Sequence, residues 1–538
     1  MAQQTDRLLI CSFILCFYLL CNSCVQQAGK QQPVAPPPVP PKNLSVKGFF
    51  SAQQQRLLHT DSIHLKTFFL QYPQLNAYAA DVTRFYNYRN NRYAWYDENG
   101  LVEQASNLYN HLTNLASEGI ETPLPCKLIL DSLLNDPLAS NAPDRDLEIM
   151  LSAEYFFYAE TVWAGISEQK TNKLEWFLPR KKLNLPYMMD SLIKDSSASL
   201  FSAQYNIQQY NLLKTALQKY RHLDSMGDWK PLPAGSTVFK KKDSTETIGM
   251  IRHRLYLLGD LDQNSQDKKY DEQLEIAVKA FQARYGMTPD GVMGEGFFRE
   301  INTPLKDNIR KLIVNMERTR WLPMDLASHF IVINIPFFTL TVYDQDTISF
   351  NMNVVVGKDL HQTVIFNGDI KYIVFSPYWN VPVSIMKKEI LPAIAKNPGY
   401  LKRNNMEWNG NTIRQKPGPK NSLGLVKFLF PNSYNIYLHD SPAKSLFSSP
   451  TRAFSHGCIR LAEPKKLAVY LLKQDPSWNE DKIQAAMTAG KEKYVTLKKP
   501  VPVLIGYMTA WVDKNGKLNF RKDIYNRDQR LEDLLLHP

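Results

Sequence analysis

Residues 329–344 read HFIVINIPFFTLTVYD. β-Branched and aromatic side chains fill both halves, and Pro336, which cannot donate to a strand ladder, falls between them. The pattern predicts two strands around Pro336. Further strand signals follow in SFNMNVVVG (349–357), IKYIVFSPYWNVP (370–382), NIYLHD (435–440) and VPVLIGYMTAWVD (501–513), the last closing on a DKNG turn. Between them, SIMKKEILPAIAKNPGYLKRNNMEW (384–408) reads as a helical insertion, and Ser477-Trp478-Asn479-Glu480 as a capping box opening a helix. A β core with inserted helices and no alternating strand–helix rhythm is α+β rather than doubly wound. This mostly-β region is expected over 318–538, with the insertion at about 379–410.

Upstream, the pattern is helical. In 245–304, Ile248, Ile251, Leu255 and Leu258 share one helical face that stops at Gly259. Leu274, Val278, Phe281 and Tyr285 repeat the device before Gly286. A turn at Asp290-Gly291 and a short third helix complete a small three-helix module, of a size suited to binding rather than catalysis. Residues 49–235 form a longer helical region rich in aromatics. There Leu101, Leu108, Leu112 and Leu115 recur at helical spacing before Gly119, and the aromatics read as core.

The first 24 residues carry Arg7 and an apolar run from Leu8 to Leu20, the shape of an export signal. Asn22-Ser23-Cys24 resembles a lipoprotein processing site; plain cleavage and an uncleaved anchor are the alternatives. Residues 25–48 include QQPVAPPPVPPK, a stiff proline-rich linker or a plain disordered leader. Export to the cell envelope is therefore expected, with a membrane anchor through the N-terminus as one reading. A net charge of +12 over 538 residues suggests an anionic partner such as a membrane surface or acidic polymer. No basic run interleaved with aromatics suggests nucleic-acid binding. Oligomeric state is not legible.

Four of the six cysteines lie in the leader, leaving Cys126 and Cys458. Cys126, in TPLPCKLIL, shows no polar partner in its motif and reads as a buried structural thiol, with a disulfide to Cys458 the weaker alternative. Cys458 lies in FSHGCIRL (454–461), two residues after His456, and His439 ends the strand-like segment upstream. Thiolates attack carbonyls, and an imidazole can take the proton to form an ion pair. His439 and His456 are thus candidate partners of a Cys458 nucleophile. Gly457 lets the chain turn sharply, and the Gly457 and Cys458 N–H groups form a candidate oxyanion hole, each donor worth about 3 kcal/mol. Arg460 is placed to bind a carboxylate or hold the loop. Ser455 reads as a substrate-side or loop-orienting hydroxyl. Asp440 reads as a surface turn residue or an orienter of His439. Zinc on His439, His456 and Cys458 is the rival reading, but HExxH and paired CxxC patterns are missing. A buried structural cysteine is the bland one. No metal and no cofactor are expected.

A histidine, fifteen residues, then Ser-His-Gly-Cys, a hydrophobic residue and Arg resembles the signature of the YkuD-type L,D-transpeptidases. VVVGK, YWNVPVSIMKKEILP, NPGYL, RQKPGPKNSLGLVKFLFPN and YLHD are similar to the catalytic domain of that family's larger, multidomain branch. FQARYGMTPDGVMGEGFFREIN looks like a helical peptidoglycan-binding domain, and the aromatic segment resembles the helical scaffold domain. Asp440 departs from the glycine common in smaller members. The resemblance implies a cysteine acyltransferase in which Cys458 takes the acyl group of a tetrapeptide stem, releasing D-alanine, and passes it to another stem in a 3→3 cross-link. His439 would be the base, His456 a support, and Trp379 part of a lid over the cleft or simply core of the insertion. Water as acceptor would give a carboxypeptidase. A non-catalytic peptidoglycan-binding scaffold and a cysteine peptidase are the rivals from other classes.

Overall fold

The computed structural model describes residues 58–536 apart from 98–99, 136–142, 195–205, 234–237, 266, 324–326 and 346. The expected leader, Cys24 and the proline-rich linker lie outside them. Among the described residues no helix is long and apolar enough to cross a membrane.

The N-terminal region is helical and centres on the helix Arg145–Tyr158. Asp144 caps it by accepting from the Leu147 N–H, and every residue from Leu147 to Tyr158 is buried. Phe85, Tyr86, Trp95 and Trp163 join its Tyr155 and Phe156 in one buried cluster. The aromatics are therefore core, each large ring burying on the order of 150–250 Å². A two-residue hairpin, β1 (Tyr96–Asp97) and β2 (Gly100–Leu101), precedes the helix Glu103–Thr113. Leu101, expected in that helix, is in β2.

The three-helix module consists of Glu246–Leu258, Glu272–Arg284 and Glu295–Ile301. Thr245 and Asp271 cap the first two through their side chains. Gly259 (φ +87°) ends the first in the left-handed conformation that glycine adopts without a Cβ penalty.

The helix Leu305–Trp321 follows, and its second half, Leu312 to Trp321, is wholly buried. It packs on the helix Gln208–Ser225 of the N-terminal region. Buried Arg320 donates to Glu317 (2.7 Å), the Val162 carbonyl (3.0 Å) and the Tyr210 hydroxyl (3.2 Å). Glu317 in turn accepts from Ile166 N–H and Trp321 Nε1, each at 2.7 Å. Buried charges are tolerated only with such full satisfaction, so this network fixes the helical region against the connecting helix.

The C-terminal domain is mostly β. β3 (Trp176–Phe177) comes from the N-terminal region; then come β4 (His329–Asn334), β5 (Thr339–Asp344), β6 (Thr347–Gly357) and β7 (Ile365–Phe375). β4 and β5 are the two strands expected around Pro336. β8 (Trp379–Asn380), β9 (Met406–Asn409) and β10 (Thr412–Gln415) form a separate small sheet. β11 (Val426–Leu429), β12 (Leu438–His439), β13 (Ala453–Ser455), β14 (Ile459–Leu461) and β15 (Lys493–Gly506) complete the main one. Its order is β11-β12-β14-β6-β5-β4-β15-β7-β3, with β13 beside β6. Because β11 also pairs with β7, the sheet closes on itself around Ile331, Leu340, Val354, Ile373, Phe428 and Ile459. Closure removes most exposed strand edges.

Three departures from the sequence reading stand out. The region expected to be helical supplies β3, which pairs in parallel with β7. The last strand segment splits: β15 ends at Gly506, and a hairpin of β16 (Ala510–Val512) and β17 (Leu518–Phe520) packs into the core of the three-helix module. The late helix opens at Glu480 with Asn479 as its cap, its side chain accepting from Lys482 N–H, while Ser477 bonds Asp475.

Candidate active site

The Cys458 motif is built by register. β12 and β14 run parallel, with Leu438 opposite Ile459 and His439 opposite Arg460. Ile459 N–H donates to the Tyr437 carbonyl at 3.2 Å. Side chains alternate along a strand, so Leu438 and Ile459 enter the core while Tyr437, His439, Cys458 and Arg460 share the other face.

The loop before Cys458 is held by hydroxyls. Ser455 Oγ donates to the Cys458 carbonyl (2.6 Å) and accepts from Gly457 N–H (3.1 Å). Thr363 Oγ1 donates to the Gly457 carbonyl and accepts from Gly357 N–H, each at 2.9 Å. Gly457 has φ +112°, where a side chain is strained. The Gly457 N–H, expected as an oxyanion donor, is thus engaged by Ser455 in this conformation. Ser455 itself is buried and orients the loop.

His439 is buried, and its Nδ1 lies 2.5 Å from the Asp440 carbonyl. A carbonyl only accepts, so Nδ1 carries the proton and Nε2 is the unprotonated nitrogen. Burial, with the Arg460 charge adding to it, pushes the imidazole down to about 3. Asp440, read as a surface turn residue or an orienter of His439, is buried. Its carboxylate accepts from Leu425 N–H (2.9 Å), Ser441 N–H (2.7 Å) and Lys444 (2.6 Å), while its carbonyl orients the imidazole.

Cys458 Sγ points at the Asn435 carbonyl, 3.7 Å away. Burial raises the thiol; the Tyr437 backbone N–H and hydroxyl, and then Arg460, oppose it without overcoming it. The resting pair is therefore a neutral thiol and a neutral imidazole rather than the ion pair anticipated from sequence. Arg460 has a buried Nε with no hydrogen-bond partner, which leaves its charge acting on Cys458 and His439.

His456 does not join this group. Its Nε2 lies 3.0 Å from Glu389 Oε1, and its ring stands 5.2 Å from that of His361. Glu389 belongs to the inserted segment, whose small core is Val381, Met386, Ile390, Met406 and Ile413. Trp379 packs on that core as well. Cys126 is half-buried, with its sulfur 3.6 Å from Gln74 Oε1.

Sequence reasoning missed Tyr437 and Glu389. Tyr437 was legible in part, since it stands two before His439 on the same strand face. Glu389 gave no signal, being 67 residues from His456 and on another element.

The chain matches three family models: the L,D-transpeptidase catalytic domain YkuD at 328–484, a scaffold domain at 80–217, and a "Putative peptidoglycan binding domain" at 244–300. It is 30% identical over 253 residues to a "Putative L,D-transpeptidase" of Haemophilus influenzae, covering 43% of this chain and 51% of that protein. The chain thus spans about half the length of this curated relative. Among solved structures, the L,D-transpeptidase (Yku) of Stackebrandtia nassauensis is 14% identical with a TM-score of 0.21, covering 51% of this chain and 97% of that one. An L,D-transpeptidase of Mycobacterium smegmatis is 14% identical with a TM-score of 0.20, covering 34% and 59%. These structural scores are too low to add to the family matches. On those matches, the chain carries a YkuD L,D-transpeptidase catalytic domain behind a scaffold domain and a peptidoglycan-binding domain.

Proposed function

We propose that this protein is a cell-envelope peptidoglycan L,D-transpeptidase that works through a Cys458 thioester. The observation that carries the reading is the shared face of Tyr437, His439, Cys458 and Arg460 across β12 and β14. As substrate docks, the Cys458 thiol gives its proton to His439 Nε2, and the sulfur attacks the carbonyl joining the third stem residue to the terminal D-alanine. In this scheme the Cys458 N–H and the Tyr437 hydroxyl serve the oxyanion, and Arg460 stabilises the charge on sulfur. Collapse breaks the C–N bond, and D-alanine leaves with the proton from His439. The side-chain amine of a second stem then attacks the thioester. The C–S bond breaks, an amide forms, and the thiol recovers its proton, giving a 3→3 cross-link.

Proton removal is coupled to attack, and substrate binding has to raise the basicity of His439 from its resting value for the transfer to be efficient. The inserted segment, tied to the motif loop by Glu389 and His456, acts as the cover over the cleft.

The test is mass spectrometry of products from disaccharide-tetrapeptide, with Cys458→Ala beside it. Dimers joined 3→3 with loss of one D-alanine, missing in the variant, are expected. Tripeptide without dimer would replace the reading with a carboxypeptidase. No product, and no adduct with a β-lactam, would leave a binding scaffold.

A further inference from the structure

Two guanidiniums of the C-terminal domain meet across a cleft from the three-helix module. The cleft has two adjoining lobes of about 370 and 220 Å³. Gly286, Met287 and Thr288 of the module form one wall of both, and Phe338, Pro450 and Arg521 the other. Arg452 lines the larger lobe.

Neither Arg452 nor Arg521 has a carboxylate partner among the described residues. Arg521 donates to the carbonyls of Arg284 (2.6 Å) and Phe520 (2.7 Å). Arg452 donates to those of Ser449 (2.7 Å) and Phe338 (3.3 Å), and its buried Nε has no partner. Each lies over a phenylalanine ring, Arg521 at 4.3 Å from Phe337 and Arg452 at 5.3 Å from Phe338. The neighbouring Arg284, by contrast, is paired with Asp260. Burial lowers both guanidiniums, Arg521 to about 10, and mutual repulsion adds to the shift on Arg521; both still stay charged at neutral pH. Arg299, Glu300 and Lys522 complete the charges on the smaller lobe, and Glu300 faces Arg299 at 3.6 Å.

Half-buried cations without a counter-ion carry a desolvation cost, and a guanidinium fork matches a carboxylate. We propose that this cleft is a second substrate site, which takes a free carboxylate of a peptidoglycan stem peptide between the peptidoglycan-binding domain and the catalytic domain. The ligand's identity rests on the transpeptidase reading above; the unpaired arginines and the cleft do not. Arg452 immediately precedes β13 and stands six residues before Cys458, so at most about 20 Å of chain separates this edge of the cleft from the motif loop. A stem held there would belong to the same wall segment as the one being acylated.

The test uses the full chain carrying Cys458→Ala, so nothing is turned over, with hydrogen exchange read by mass spectrometry. Muropeptide with a tetrapeptide stem should slow exchange at 286–289 and 447–452 as well as near residue 458. Thr288→Glu places a carboxylate in the cleft from an exposed position; it should abolish protection at the first two segments and keep it at the third. Thr288→Gln should retain all three. Amidating the free carboxylates of the muropeptide should weaken protection in the cleft at least tenfold. Protection confined to the Cys458 loop in every variant would overturn the site. Equal protection by acetate at the same concentration would overturn its assignment to stem peptide. β-Lactam acylation of unaltered Cys458 reads the transpeptidase proposal separately, because failure there leaves the exchange result standing.

Discussion

His439 and Arg460 are register partners on parallel strands, so a buried neutral imidazole and a cation share one face beside Cys458. The cation works in two directions. It adds to burial in keeping the imidazole unprotonated, and it opposes burial in favouring the thiolate. Replacing it by Arg460→Gln should lower β-lactam acylation by at least tenfold. The pH at which iodoacetamide alkylates Cys458 should rise as well. An unchanged alkylation profile would remove Arg460 from the electrostatics of the site.

The same burial makes stability sensitive to acid. An unfolded histidine takes its proton near pH 6.5, whereas folded His439 resists until about pH 3. The unfolded state therefore binds more protons across that window, and stability falls as pH drops from 6.5 to 3, by on the order of 5 kcal/mol at the full shift. Urea melts of the parent and His439→Gln at stepped pH check this, and the variant should show the shallower acid slope.

Glu154 produces the opposite slope. It is buried, neither carboxyl oxygen has a partner among the described residues, and burial pushes it up to about 9. The unfolded chain gives up this proton near pH 4.5 and the folded one retains it, so stability falls as pH rises from 4.5 to 9. Glu154→Gln should flatten the alkaline decline and raise Tm at pH 8 relative to the parent.

Gly424 sits at φ +65°, and a Cβ there would lie 2.4 Å from the Asp440 carboxylate. Gly424→Ala should cost about 1–3 kcal/mol in backbone strain and displace the residue whose carbonyl orients His439. Acylation should therefore fall further than the stability loss explains, as a Tm measured beside the acylation rate would establish.

The Glu389–His456 pair is half-exposed, so breaking it should cost no more than about 1 kcal/mol of stability. Glu389→Gln is expected to leave Tm within a degree or two yet change KM for muropeptide more than kcat, because it loosens the inserted segment from the motif loop. Parallel changes in both constants would argue against a covering role.

Much of this was legible along the chain because it depends on neighbours. The strands on either side of Pro336 and the helices ending at Gly259 and Gly286 follow from local periodicity and caps. Cys458 was legible as a candidate nucleophile, since a single cysteine before a strand with two histidines at fixed spacing has few other uses. The capping residue at 479 was misplaced by two positions, as Asn and Ser compete for the same N–H groups and packing selects between them.

The chemical inventory and the locally encoded elements were thus determined by sequence alone: which side chains can attack, accept or bind, and the strands and helices that periodicity and caps mark. Tertiary structure decided the rest. It brought Tyr437 to the sulfur, turned His456 away to Glu389, buried Asp440, took β3 from the helical region, and left Arg452 and Arg521 unpaired across the cleft. The physical reason is range. Propensity and capping act over a few residues, whereas burial, strand register and the field of a distant charge depend on which segments close upon one another.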